Sequence, residues 1–206
     1  MKKRIFSLLI AAMLLMAFSC TAFADVQTSY SAYTNSFIDA VGWYQSFDAT
    51  LYITGENTYE LVYKANVFGT TDPGNKGEKT VIYSGTFTSA PAADGEDSHL
   101  DITLDTCDNI YFEQHDKAWG RNELNFQMML NTAAWTDDME DFCGMAADEF
   151  LEAHSVAGKV ITVEDLFLDL DNQTLMNRVV AIDGTEFTGG AATEDELAAM
   201  AALSID

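Results

Sequence analysis

The sequence predicts a mainly β protein. Seven or eight antiparallel strands close into a barrel or pack as a two-sheet sandwich, with a helix ahead of the first strand and one inserted helix. Three observations carry this expectation. Apolar and polar residues alternate through most of residues 51–182, the period at which a strand buries one face. Clusters of Gly, Asn, Asp and Pro punctuate that alternation at short intervals, as tight turns require. Helical spacing of large apolar residues dominates only residues 30–44 and 136–154.

In the first helical stretch Tyr30, Tyr33, Phe37, Val41 and Tyr44 recur at steps of three or four, while Ser31, Thr34, Asn35 and Asp39 fill the opposite face. This pattern predicts a leading amphipathic helix packed over one end of the β core. Leu51 and Ile53 then alternate before Gly55-Glu56-Asn57, and Tyr59, Leu61 and Tyr63 alternate after it, which reads as a hairpin with turn residues at its tip. The run from Gly69 to Gly77 is an irregular connection.

Further strands are expected over Thr80–Thr88, Leu100–Leu104, Ile110–Phe112 and Leu124–Leu130, the last with Leu124, Phe126, Met128 and Leu130 on one face. Between Thr136 and His154, Met139, Phe142, Ala146 and Phe150 are in helical register. Thr136 or Asp137 can cap that helix, and acids in its first turn suit the helix dipole. Val160–Val163, Leu166–Leu170 and Leu175–Ile182 read as a terminal strand pair turning at Asp171-Asn172-Gln173. Glu194–Leu203 reads as a short tail helix prone to fray.

Lys2, Lys3 and Arg4, the apolar stretch Ile5–Phe18 and then Ala22-Phe23-Ala24 follow the order of a secretory signal peptide cut after Ala24. A lipid anchor on Cys20 is the rival reading, but Ala17 and Phe18 fit a lipobox poorly. The remaining residues, 25–206, contain no linker and are expected to form one β-rich domain of an extracytoplasmic, bacterial-style protein without a transmembrane segment. The composition, 48% hydrophobic and 12% aromatic, can build a core and excludes intrinsic disorder.

Loss of residues 1–24 removes three of the ten basic residues and no acids, leaving 33 acids against seven bases and a net charge of −26. Such a surface repels nucleic acid and anionic lipid. Cys107 and Cys143 are left as a pair, which an oxidising compartment would join as a disulfide.

Gly42-Trp43, Leu51-Tyr52-Ile53, Glu56-Asn57-Thr58-Tyr59-Glu60-Leu61 and Tyr83-Ser84-Gly85-Thr86-Phe87 together resemble bacterial secreted lipocalin-like domains over residues 42–114. Phe87 stands where that family has Tyr, and the inserted helix has no counterpart there. The resemblance implies a barrel around an apolar pocket and carries no catalytic residues.

Signatures of chemistry are few. There is no G-x-S-x-G elbow, H-E-x-x-H or phosphate-binding glycine loop, and Ser84 falls inside a predicted strand. His99, His115 and His154 are remote from one another in sequence and read as surface or capping residues. Close acid pairs (Asp101 with Asp105, Asp137-Asp138 with Glu140 and Asp141, Asp169 with Asp171) are expected by chance in so acidic a chain, and the last lacks the EF-hand's Gly and terminal Glu. No cofactor or metal site is predicted.

Three functions remain. The first is a non-enzymatic secreted protein holding a small apolar ligand, with Tyr59, Leu61, Tyr63, Phe87, Phe126 and Met128 lining the core or a cavity. The second is an acidic extracellular or cell-envelope module that meets a basic protein or a cation-bridged polymer, which aromatics gathered on an exposed face would mark. The third is a hydrolase in which His115 converges with Asp105 or Asp108.

Overall fold

The computed structural model describes residues 28–38, 42–69, 76–117, 124–130, 140, 144–169, 174–189 and 191–205. Its strands are β1 (Thr28–Ile38), β2 (Trp43–Ile53), β3 (Thr58–Gly69), β4 (Lys76–Pro91), β5 (His99–Leu104), β6 (Asn109–Lys117), β7 (Leu124–Leu130), β8 (Val160–Asp169), β9 (Thr174–Ile182) and the short β10 (Thr185–Glu186). Two helices accompany them, α1 (Ala147–His154) and α2 (Glu194–Ala201).

Neighbouring strands run β3-β2-β1-β9-β8-β5-β4, and β4 pairs back onto β3, which closes a barrel of seven strands. Successive members of this ring alternate in direction, and an odd number of alternating strands leaves the first and last pointing the same way. β1 and β9 accordingly meet in parallel, with Ser31 opposite Arg178, while every other pairing in the ring is antiparallel. The barrel is therefore mixed, where an antiparallel one was expected.

The helix expected over Tyr30–Tyr44 is also corrected: Tyr30–Ile38 belong to β1, and Trp43 and Tyr44 open β2. Tyr30, Ala32 and Thr34 are buried, whereas Tyr33 and Phe37 are exposed, so the true period is two. The small inward residues Ala32 and Thr34 conceal the alternation from a search for large apolar residues. The outward Tyr33 and Phe37 then combine with Tyr30 into a false helical stripe. The hairpin at Gly55-Glu56-Asn57 forms as expected, with Ile53 opposite Tyr59. α1 is the second half of the expected insertion and buries Phe150; its proposed caps Thr136 and Asp137 lie outside the described residues.

β4 is the longest strand and has two partners along one edge. Its residues Phe87–Pro91 pair with β5 and Lys76–Ser84 pair with β6, which in turn pairs with β7 rather than with the ring. The chain jogs between them at residues 105–108, held by Asp105 N donating to Thr86 O at 2.8 Å and Asp108 N donating to Ser84 O at 2.7 Å. The jog folds over Gly85, and the Tyr59 hydroxyl donates to the Thr106 carbonyl at 2.8 Å from the neighbouring strand.

A Cβ at position 85 would collide with that same carbonyl, which explains glycine there. Gly85→Ala is expected to lower stability by about 1–3 kcal/mol, the usual cost of overpacking, seen as a lower urea midpoint. An unchanged midpoint would mean that the jog moves aside freely.

Candidate functional site

The inner and outer faces of the sheet offer different chemistry. Inside, Tyr59, Leu61, Tyr63 and Phe87 are buried members of one apolar cluster that also contains Leu51, Val81, Tyr83, Leu104, Ile110 and Ile161. Phe126 and Met128, expected beside them, lie on β7, outside the closed ring, in register with Gln114 and Phe112 of β6.

The cluster also contains residues of α2 and the segment after it. Met200 and Leu203 are fully buried and Ile205 nearly so. Tyr83, on the inner face of β4, donates to the Leu203 carbonyl at 2.8 Å. Lys79, two rungs along on the same face, donates to the Ile205 carbonyl at 2.8 Å and to Ser204 Oγ at 3.2 Å. The terminal segment thus packs against the inner surface of β4. Burial raises the ionisation of the Tyr59 and Tyr83 phenols well above the ordinary tyrosine value.

One carboxylate fastens this segment. Glu196 of α2 accepts from Thr188 N at 2.9 Å and Thr193 N at 2.8 Å, and from both threonine hydroxyls, while its own N–H donates to Thr193 Oγ1. This is a capping box extended to the preceding loop. Burial pushes the Glu196 carboxyl up, but the hydrogen bonds from Thr193 and Thr188 outweigh it and hold the group below the ordinary glutamate value. One buried polar atom among the described residues, Thr34 Oγ1 on the inner face of β1, has no hydrogen-bond partner.

The histidines occupy separate structural positions. His99 Nδ1 lies 2.6 Å from Asp94 in the β4–β5 turn, and His154 stacks on Phe150 and bonds its carbonyl at 2.9 Å. His115 does not converge with Asp105 or Asp108: the jog and position 115 are separated by most of β6, about 20 Å at strand rise. Its Nε2 instead meets Glu113 at 2.6 Å, and Tyr111 donates to the other oxygen of Glu113 at 3.2 Å. This row lies on the outer face of β6, where burial and the Glu113 charge push the Tyr111 phenol up to about 12.

Asp101 accepts from Thr162 Oγ1 and Ala93 N, and Asp105 from Thr88 Oγ1, so both serve strand and turn geometry. No group of three or more His, Cys, Asp or Glu able to hold a metal occurs among the described residues. Cys107 is a free thiol pointing toward the Asn109 carbonyl, and its expected partner Cys143 lies outside the described residues, as do Asp137, Asp138, Asp141 and Asp171. No described helix is long and apolar enough to cross a membrane.

The outer face of β1, β2 and β3 carries a feature that no site expectation included. Phe37 is in register with Tyr44, and Tyr44 with Phe68, so three aromatic residues form one cross-strand row. The Tyr44 and Phe68 rings lie 5.0 Å apart, and the Tyr33 and Tyr44 hydroxyls share a 3.0 Å hydrogen bond. That bond, chiefly, pushes the Tyr33 phenol up to about 12. Tyr33, Phe37 and Phe68 are 40%, 53% and 39% exposed, and only Leu100 joins them as a large exposed apolar residue among those described.

The alternation Tyr30-Ala32-Thr34 against Tyr33-Phe37 signals that Tyr33 and Phe37 point outward, once small residues are counted as inward, but their gathering with Tyr44 and Phe68 depends on strand register. No family model, curated protein or solved structure matches the chain.

Glu196→Gln should cost about 1–3 kcal/mol at neutral pH, because the amide cannot accept from all four donors. A lowered carboxyl stabilises the fold above its unfolded value near 4.3, and this contribution disappears as pH falls through the folded value. The urea-midpoint gap between wild type and variant should therefore narrow in acid; an equal gap at pH 7 and pH 3 would contradict the assignment. The raised phenols of Tyr59 and Tyr83 predict the complementary alkaline behaviour, with stability intact below pH about 10 and falling above it.

Proposed function

We propose that the protein is a secreted, non-enzymatic interaction module that docks a partner in the extracellular space or cell envelope through Tyr33, Phe37, Tyr44 and Phe68. The observation that carries this reading is the gathering of exposed aromatics on one outer sheet face. Aromatic side chains supply large apolar area at small entropic cost and dominate binding energy where they cluster. Export follows from the N-terminal charged, apolar and small-residue segments, and the intact mass of exported protein should begin at Asp25. A mass carrying acyl chains on Cys20 would replace free secretion with a lipid anchor.

A ligand inside the barrel is the second reading, favoured by the inward Lys79 ammonium and the unpartnered Thr34 hydroxyl. It ranks second because Leu203 and Ile205 already pack in that interior.

The test is retention of the labelled mature chain on envelope material from its own host. Phe37→Ser with Phe68→Ser should weaken retention about tenfold or more, while Leu100→Ser, an exposed apolar residue elsewhere, should not. Equal retention of all three proteins would show that the aromatic face does not hold the partner.

A further inference from the structure

We infer that the partner of the aromatic face is an uncharged polysaccharide chain. This rests on the reading of that face as the docking surface and adds the chemistry of what docks there.

Charge supplies the first argument. The chain has 33 acids and 10 bases, yet the outer rows around the aromatics are balanced. Asp48 and Lys64 face each other across β2 and β3, and Lys76, in register with Phe68, is paired to Glu78 at 3.3 Å. Among the described outward residues of β2, β3 and β4 beside the row, these two lysines balance these two acids. A basic partner would be drawn to the acidic surface elsewhere, and an acidic partner would be repelled by the molecule as a whole. A neutral partner matches these balanced rows.

Arrangement supplies the second. The aromatic row crosses β1, β2 and β3, roughly 10 Å at ordinary strand spacing. The outward row beside it is Asn35, Ser46 and Asn66, again in register across the three strands. Amide and hydroxyl groups both donate and accept without carrying charge. A sugar ring has the same two-part character, with an apolar face of C–H groups and a rim of hydroxyls that donate and accept. Stacked on Phe37, Tyr44 and Phe68, successive rings would bring their hydroxyls over the Asn35-Ser46-Asn66 row. The Tyr33–Tyr44 hydrogen bond holds two of the rings in place before binding, which lowers the ordering cost. A protein hot spot instead seeks a well-packed pocket, whereas Tyr33, Phe37 and Phe68 stand exposed on the outward side of paired strands.

The experiment is electrophoresis of the mature chain through native gels containing soluble neutral polysaccharides (hydroxyethyl cellulose, a mixed-linkage β-glucan, arabinoxylan and amylopectin), with polygalacturonate as the charged comparison. At least one neutral gel should retard the wild type, and added salt should not abolish the effect. Phe37→Ser alone, and with Phe68→Ser, should weaken retardation about tenfold or more, and Leu100→Ser should leave it unchanged. Retardation by polygalacturonate alone, lost in salt, would overturn the inference.

So would no retardation by any neutral polymer. If aromatic-dependent retention on host envelope then persists and is destroyed by protease, the partner is a protein and the docking face still stands. If retention ignores the aromatic substitutions, the docking face itself falls.

Discussion

The Thr106 carbonyl over Gly85 is the contact on which the architecture turns. β4 is too long for one partner, and at this point its edge passes from β5, a member of the closed ring, to β6, which leads away from it. The jog that makes this possible turns a carbonyl inward, where it must be hydrogen-bonded to avoid the cost of a buried polar group. Tyr59 supplies the donor from β3, and Gly85 supplies the space. A side chain at position 85 or an apolar residue at 59 would leave the carbonyl clashing or unsatisfied. Ring closure and sheet extension would then compete for the same stretch of β4.

The interior follows from that closure. With large tyrosines filling the inner face, residues 200–205 pack into the same core, and Tyr83 and Lys79 of β4 donate to the backbone carbonyls of residues 203 and 205. Glu196 makes this arrangement durable by tying α2 to the loop before it. Among the described residues, the outer faces of β1, β2 and β3 are where large apolar side chains meet solvent together.

Much of the β architecture was legible because large apolar residues alternate: the hairpin around Gly55-Glu56-Asn57, the strands around Tyr83, Ile102 and Phe112, and the terminal pair β8–β9 all read directly. β1 did not, because its inward positions beyond Tyr30 are the small Ala32 and Thr34, and sheet pairing with β2 overrides the weak helical spacing. The core residues Tyr59, Leu61, Tyr63 and Phe87 followed from alternation alone. The aromatic row could not, since Phe37, Tyr44 and Phe68 come from three strands and become neighbours only through register. Burial of the tail was equally hidden: the spacing of Met200, Leu203 and Ile205 marks an apolar side without saying what covers it.

Binding at the outer aromatic row, as proposed, and binding in the interior differ in which residues sense the partner. Chemical-shift mapping of the isotopically labelled mature chain, titrated with the envelope fraction that retains it, tests this most directly. Perturbations should centre on Tyr33, Asn35, Phe37, Tyr44, Asn66 and Phe68, with Tyr59, Tyr83 and Leu203 unmoved. Perturbations centred on Lys79, Tyr83 and residues 203–205, with the outer row silent, would contradict the proposal and place the binding site inside.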